Sequence, residues 1–307
     1  MTLHLLLDTS SLMYRAFFSV PATVRDRGGR PVNAVHGYLD MTARLVERFH
    51  PERCVHVFDA DWRPAPRVAE YAGYKAQRAA DPEGLPEQFD LLREVLEALG
   101  LPWAEAPGWE AEDAIGAITA RGGEDDRFAV VTGDRDLLQL VHDPEVLVLF
   151  TLRGVSELRE FDEAEVLDRY GVPADRYAEF ATLRGDPSDG LPGVRGVGEV
   201  TARALVNAYG SLEEMLEEAR APRRRPGPLQ GSRSLVANLR AAEGYLDAMR
   251  RVVPIRTDVD VTWSEAEAHP ERVRTLAREH RLVGPVERLE RALRGEPAGG
   301  ASRSTRA

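Results

Sequence analysis

Three apolar runs along the chain each close on an aspartate: "LHLLLD" at Asp8, "CVHVFD" at Asp59 and "FAVVTGD" at Asp134. A fourth run, "EVLVLF", covers 145–150. Between the first two lies "NAVHGYLDMTARLVERF", apolar at helical spacing; between the second and third come "PEQFDLLREVLEALG" and a helix opened by "GWEAEDAIG". Short apolar runs separated by helix-period segments predict an α/β fold with a mostly parallel central sheet covered by helices on both faces. In such sheets the functional crevice lies at the carboxyl ends of the strands. Three strands that each deliver an aspartate to that edge are not explained by solubility alone.

After about residue 180 the pattern turns to helices joined by short Gly/Pro turns, with a strand-like stretch only at "RVVPIRTDVDVTW". The expected organisation is an α/β unit over 1–180, a helical region over 181–294, and a tail over 295–307 too poor in apolar residues to fold. "APRRRPGPLQGSRS" (221–234) reads as a basic loop, and no internal repeat is present.

Composition adds little to this until charge is considered. The 307 residues, 43% hydrophobic and 30% charged, are those of a globular chain with room for two domains. The first apolar run, Leu3 to Leu7, is too short for a membrane span and lacks a signal peptide's charged head, so a cytoplasmic protein is expected. The single cysteine, Cys54, sits inside a strand run, reads as a buried thiol and excludes a disulfide framework.

A net charge of −11 argues at first against a nucleic-acid partner. The acids are not spread evenly, however. Asp8, Asp59, Glu110, Glu112, Asp113, Asp134, Asp136, Asp186 and Asp189 occupy strand ends, helix starts or tight turns; setting these nine aside leaves 42 acids against 40 bases. In "EAED" three carboxylates fall within four positions. At an effective dielectric of ~20, two unit charges ~4 Å apart repel by roughly 4 kcal/mol, so the group is either solvated or has something positive in its midst. Carboxylates without cysteine or convergent histidine select hard cations, Mg²⁺ or Mn²⁺. Two such ions can activate a water and stabilise the leaving oxygen of a phosphodiester. Any one of these acids could be a cap or a solvated turn residue; nine in such contexts favour a site. There is no GxxxxGK[ST] loop, no HExxH and no GxSxG, and Ser10 stands where an aspartyl-phosphate enzyme would want a second aspartate.

Two further signals bear on partners. In "LPGVRGVGEVTARALVNAYG" (191–210), Gly193, Gly196 and Gly198 permit a tight hairpin ahead of a helix. No strand precedes it, which weakens a dinucleotide loop; a helix–hairpin–helix gripping a phosphate through bare amides fits better than a plain interhelical turn. The other signal is the only lysine among 40 basic residues, Lys75, in "RVAEYAGYKAQRAADPEGLP". That stretch interleaves Arg67 and Arg78 with Tyr71 and Tyr74, as suits single-stranded nucleic acid, although a solvated surface helix would read the same way.

Taken in order, "LLLDTSSLMYRAFF", "VFDAD", "GYKAQR", "GWEAEDAIG", "VVTGDRDLLQL" and "GDPSDGLPGVRGVGEVTA" resemble the bacterial 5′-nuclease family, over about residues 3 to 290. That family comprises the amino-terminal 5′–3′ exonuclease domain of DNA polymerase I and its stand-alone flap endonuclease relatives. The resemblance implies a free-standing, monomeric structure-specific nuclease. It would hydrolyse DNA phosphodiesters at 5′ flaps, nicks and overhangs in primer removal and repair, with a polymerase and a ligase acting on neighbouring steps. It implies a first Mg²⁺ or Mn²⁺ site at Asp8, Asp59, Glu110 and Glu112. A second would be formed, partly through waters, by Asp113, Asp134, Asp136, Asp186 and Asp189. Lys75 and Arg78 would be the basic pair of a helical arch over about 62–90, Tyr74 would stack nearby, and Arg15 would match an active-site arginine. The hairpin at Gly193, Gly196 and Gly198 would bind duplex around a K⁺ ion.

Three positions depart from the bacterial pattern: Glu112 stands for Asp, Gly190 for Asn, and Val200 for a hairpin-helix Lys whose loss would weaken the grip on duplex. Two alternatives remain: a PIN-like ribonuclease, which would be shorter and lack the hairpin, and a junction-binding module with a silent site.

Overall fold

The computed structural model describes residues 1–221 and 227–296. Among these, seven strands form one sheet: β1 (Thr2–Asp8), β2 (Arg53–Phe58), β3 (Trp103–Glu105), β4 (Asp126–Thr132), β5 (Val146–Arg153), β6 (Glu157–Phe161) and β7 (Thr262–Ser264). The helices of the first part are α1 (Thr9–Ser19), α2 (Asn33–Phe49), α3 (Ala65–Glu70), α4 (Pro86–Leu99), α5 (Ala111–Ala120), α6 (Glu163–Tyr170) and α7 (Tyr177–Arg184). Those that follow are α8 (Glu199–Ala208), α9 (Leu212–Arg220), α10 (Arg233–Ala241), α11 (Glu243–Val252), α12 (Pro270–Glu279) and α13 (Val283–Leu293).

The strand order is β6-β5-β4-β1-β2-β3-β7, parallel from β5 through β3 and antiparallel at both edges. Because side chains alternate along a strand, each central run feeds two cores. Leu6, Val55, Val57, Val130 and Val148 face one layer, with Ala114, Ile115, Phe180 and Leu246 among the residues they join. Leu5, Leu7, Cys54, Phe58, Val131 and Leu149 face the other, with α1, α2, α4, α12 and α13. Cys54 is buried there and its thiol is pushed up to about 12 by burial, so it is an apolar filler.

The register sets the site. Asp8 ends β1 opposite Val57, and Leu7 lies opposite Val131. Asp59 and Asp134 therefore stand two residues past the level of Asp8 on either side, where β1 is flanked by β2 and β4 and the strand order reverses. This is the switch-point crevice expected of an open α/β sheet.

The later residues are not set apart from the sheet. The stretch read as a weak strand supplies β7, which pairs with β3; α12 packs on α4 and α13 on α2. The 295–307 tail lies, from 297 onward, outside the described residues, as do 222–226 of the basic loop. The expected arch at 62–90 is one short helix, α3, followed by turns up to α4 rather than a helical span.

Candidate active site

Each acid at the strand ends is held by donors from a neighbouring element. Asp8 caps α1, accepting from the Ser11 amide (3.1 Å) and from the Thr132 hydroxyl at the end of β4 (2.6 Å). Asp59 accepts from the Ser10 hydroxyl (2.5 Å) and the Ala111 amide at the start of α5 (2.7 Å). The Asp134 amide donates to Thr132 Oγ1 (2.9 Å), and Asp134 Oδ1 accepts from the Asp136 amide (2.9 Å), which opens the 3₁₀ turn Asp136–Leu140.

Burial, followed by the charge of Asp59, pushes the Asp8 carboxyl up to about 7. Asp134 reaches solvent, but the crevice walls strip much of its hydration; that desolvation, then the charge of Glu112, raises it to about 6. Asp136 is held well above the ordinary carboxylate range, by desolvation and then by Asp134, Glu112, Asp189 and Asp186. Acids from β1, β2, β4, α5 and the 186–189 turn thus share one field in which desolvation and mutual repulsion outweigh the basic side chains nearby. An all-oxygen set in which Asp8 and Asp134 are raised toward neutrality is a fit for hard divalent cations, which such groups bind by releasing those protons.

The pH dependence of stability follows. A carboxyl raised from 3.8 to about 7 on folding binds more protons folded than unfolded, so it costs nothing below 3.8 and destabilises progressively as pH rises to about 7. Metal-free protein is expected to lose melting temperature between pH 5 and 8, and Mg²⁺ should raise it more at pH 8 than at pH 5.5. Scanning calorimetry at the two pH values checks this; an equal Mg²⁺ effect at both would contradict it.

The acidic start of α5 has an occupant, an arginine whose sequence context suits a nucleic-acid surface but which the fold buries. Arg67, on α3 and 1% exposed, places its guanidinium among oxygens of Glu110 (2.6 Å), Glu112 (3.0 Å) and Asp113 (2.8 Å). Burial opposes its charge, but the acids, Glu112 first, hold it more firmly protonated than a free arginine. Lys75, 4% exposed and at φ +50, bonds Glu110 through Nζ, while its amide donates to the Asp189 carbonyl (2.9 Å). Arg78 pairs with Asp189 (2.8 Å), and Gln77 donates to the carbonyls of Pro187 and Ser188. Residues 73–78 therefore form a strap across the Asp186–Asp189 turn. Gly190, at φ +72, closes that turn, and an added Cβ would fall 2.5 Å from the Gly73 carbonyl. The strap thus accounts for glycine where the family often has asparagine.

Burial raises the Asp189 carboxyl, with Lys75 opposing; Asp186 caps the turn by accepting from the Ser188 amide (2.8 Å). Two expectations meet a different arrangement. Tyr74, expected to stack on a base, is 2% exposed and donates to Glu110 Oε2 (2.5 Å), leaving no free ring face. Asp113, expected beside a second metal, is 0% exposed and turned into the protein on Arg67 and the Arg256 amide (2.9 Å). Arg15 donates to the carbonyls of Thr151 (2.9 Å) and Leu152 (3.2 Å), beside an open depression of about 500 Å³ lined by Ser11, Tyr14, Phe18, Ser19 and Gly133.

The hairpin lies on the other side of the 186–189 turn. Gly193 (φ +68) and Gly196 (φ +74) take left-handed conformations that its turns require. Gly198, in ordinary extended backbone, precedes α8 with open space around it, so the helix start is bare. Arg195 and Val200 are both exposed, Val200 at 77%.

The profile described as the 5'-3' exonuclease N-terminal resolvase-like domain matches residues 3–171, and that of the 5'-3' exonuclease C-terminal SAM fold matches 172–275. The chain belongs to the 5'-3' exonuclease family. By that membership it is a nuclease. A 5'-3' exonuclease of Mycobacterium tuberculosis is 42% identical over 94% of this chain and 96% of its own length. One from Streptomyces coelicolor is 44% identical over 83% and 86%. The DNA polymerase I of Mycobacterium bovis is 43% identical over 73% of this chain and 25% of its own length. Among solved structures, the T5 D15 protein co-crystallised with metal ions superposes at TM-score 0.65 and 17% identity, covering 95% of this chain and 99% of that one, which supports the fold. Among the described residues no helix is long and apolar enough to cross a membrane.

Proposed function

We propose that the chain is a cytoplasmic, monomeric, structure-specific 5′ nuclease. It hydrolyses phosphodiesters at 5′ flaps, nicks and overhangs of DNA with Mg²⁺ or Mn²⁺, in primer removal and repair beside a polymerase and a ligase. The observation that carries this reading is the convergence of Asp8, Asp59 and Asp134 from three adjacent strand ends, with the basic strap of Lys75 and Arg78 laid against the neighbouring Glu110 and Asp189.

Asp8, Asp59, Glu110, Glu112, Asp134, Asp136, Asp186 and Asp189 are the residues that would hold the ions. Bound divalent metals supply an activated water and neutralise charge on the scissile phosphate and the leaving oxygen. The donors that fix the acids keep the donor set in place without reorganisation: Ser11 and Thr132 on Asp8, Ser10 and Ala111 on Asp59. Lys75 and Arg78 now neutralise Glu110 and Asp189. With those acids engaged by cations, Lys75 and Arg78 would be the side chains placed to meet the phosphate. Arg15, beside the depression lined by Ser11 and Gly133, would meet a second phosphate.

Duplex beyond the cut is held by the hairpin. The exposed backbone at Arg195 and Gly196, the bare start of α8 and a K⁺ ion on the hairpin would meet one phosphate run without reading sequence, while the Gly193 amide is held by the Tyr245 hydroxyl. At position 200 this chain has valine in place of a lysine. Val200→Lys is expected to tighten duplex binding and steepen its salt dependence by about one counterion, ~0.9 in log–log slope. Fluorescence anisotropy across a salt series reads this; an unchanged slope would remove position 200 from the interface.

A panel of 5′-labelled substrates tests the function itself. Cleavage of the flap at its junction, with single-stranded RNA left intact, is expected. Cleavage of single-stranded RNA alone would mark a PIN-like ribonuclease, and tight flap binding without cleavage a binding module.

A further inference from the structure

We infer that Arg67 and Asp113 form a permanent internal ion pair that positions Glu110 and Glu112, so that Asp113 is a brace of the metal site and not one of its ligands. Oxygens of Glu110, Glu112 and Asp113 lie within 4.8 Å of one another, which on spacing alone would suit a metal. The space among them is taken. Arg67 Nη1 reaches Glu110 (2.6 Å) and Asp113 Oδ2 (2.9 Å), Nη2 reaches Asp113 Oδ1 (2.8 Å), and Nε donates to the Val252 carbonyl (2.9 Å). A guanidinium so committed presents a fixed fork matched to one carboxylate.

Asp113 has no oxygen to spare. Oδ1 also accepts from the Arg256 amide (2.9 Å), and Oδ2 from the Glu110 amide (3.3 Å), the reciprocal half of a capping box at the start of α5. A metal on Asp113 would have to displace a buried cation tied to the main chain. The pair also joins three separate pieces of chain: α3 at the base of the strap, α5 with its acids, and the end of α11. Glu110 is held between Arg67, Tyr74 and Lys75, and Glu112 beside Arg67, so the guanidinium decides where both carboxylates stand. Arg67 is thus a positioning residue for the reaction proposed above, and the inference rests on that reading.

The test uses the full chain and four variants: Asp113→Asn, Arg67→Lys, Arg67→Met, and the double Arg67→Met/Asp113→Leu. Calorimetry with Ca²⁺ counts bound ions, thermal melts read the pair, and flap cleavage separates kcat from KM. Asp113→Asn is expected to bind as many Ca²⁺ ions as the parent, within about threefold in affinity, while melting roughly 5–10 °C lower. Arg67→Met should melt lower by a similar amount, and the double variant should recover most of that loss, since Asp113 is then no longer a buried carboxylate without its guanidinium. Both Arg67→Met and the double variant should lose about 10- to 100-fold in kcat with KM little changed, and Arg67→Lys should regain part of it. Loss of one Ca²⁺ ion, or a tenfold weaker affinity, in Asp113→Asn would make Asp113 a ligand and overturn the inference. Additive melting losses in the double variant would do the same. Failure of the parent to cleave would instead count against the nuclease reading, while the melts and ion counts would still decide the pair.

Discussion

Lys75→Met is expected to lower flap cleavage by about 10²–10³-fold, the scale on which an enzyme loses a group that stabilises charge developing in the transition state. Lys75 is the chain's only lysine, and the backbone around it is committed to its position: φ is +50, and its amide is bonded to the Asp189 carbonyl. Without substrate its ammonium neutralises Glu110, so the side chain competes with cations for that carboxylate. The Met variant should therefore bind Ca²⁺ at least as tightly as the parent while turning over far more slowly. Single-turnover cleavage together with Ca²⁺ calorimetry separates the two effects. Parallel loss of ion affinity and rate would mean that Lys75 only assembles the acids.

Asp8→Asn should remove detectable cleavage and make the metal-free protein more stable. Asp8 sits in the centre of the strand edge, with Asp59 to one side and Asp134 to the other. Its carboxyl, raised to about 7 by burial and by Asp59, is ionised at pH 8 at the expense of the fold. Asparagine can still accept from the Ser11 amide and turn its own amide toward the Thr132 hydroxyl, so the cap survives while the repulsion goes. Melting at pH 8 without metal should rise by a few degrees, and the upward shift on adding Mg²⁺ should shrink. A lower melting temperature would show that Asp8 acts mainly as a helix cap. Loss of function with gain of stability is the sign of a charge kept for its chemistry.

The elements that carry these residues were readable because their signals are local. "LHLLLD", "CVHVFD" and "FAVVTGD" are buried on both faces and end on aspartate, and they became β1, β2 and β4 with those acids on one edge. The edge elements lack such a signal. β3 is three residues long, and β6, "ELREF", is mostly polar because one of its sides lies open. The site's inner wiring depends on partners far apart in sequence. Arg67 and Tyr74 looked like surface for nucleic acid until burial put both on Glu110, 43 and 36 residues away. Asp113 shares a helix face with Glu110, but its capping-box bond and Arg67 turn it inward. The excess of charge in "EAED" did signal that something positive lies within it; only the fold reveals that an arginine and a lysine already stand there.

The most direct test of the account is the fate of a 5′-labelled flap duplex with Mg²⁺ or Mn²⁺, using the parent chain beside Asp8→Asn. The parent is expected to cut at the flap junction only when metal is present, and Asp8→Asn to bind the flap and leave it whole. Cutting that continues in a chelator, or that survives in Asp8→Asn, would contradict it.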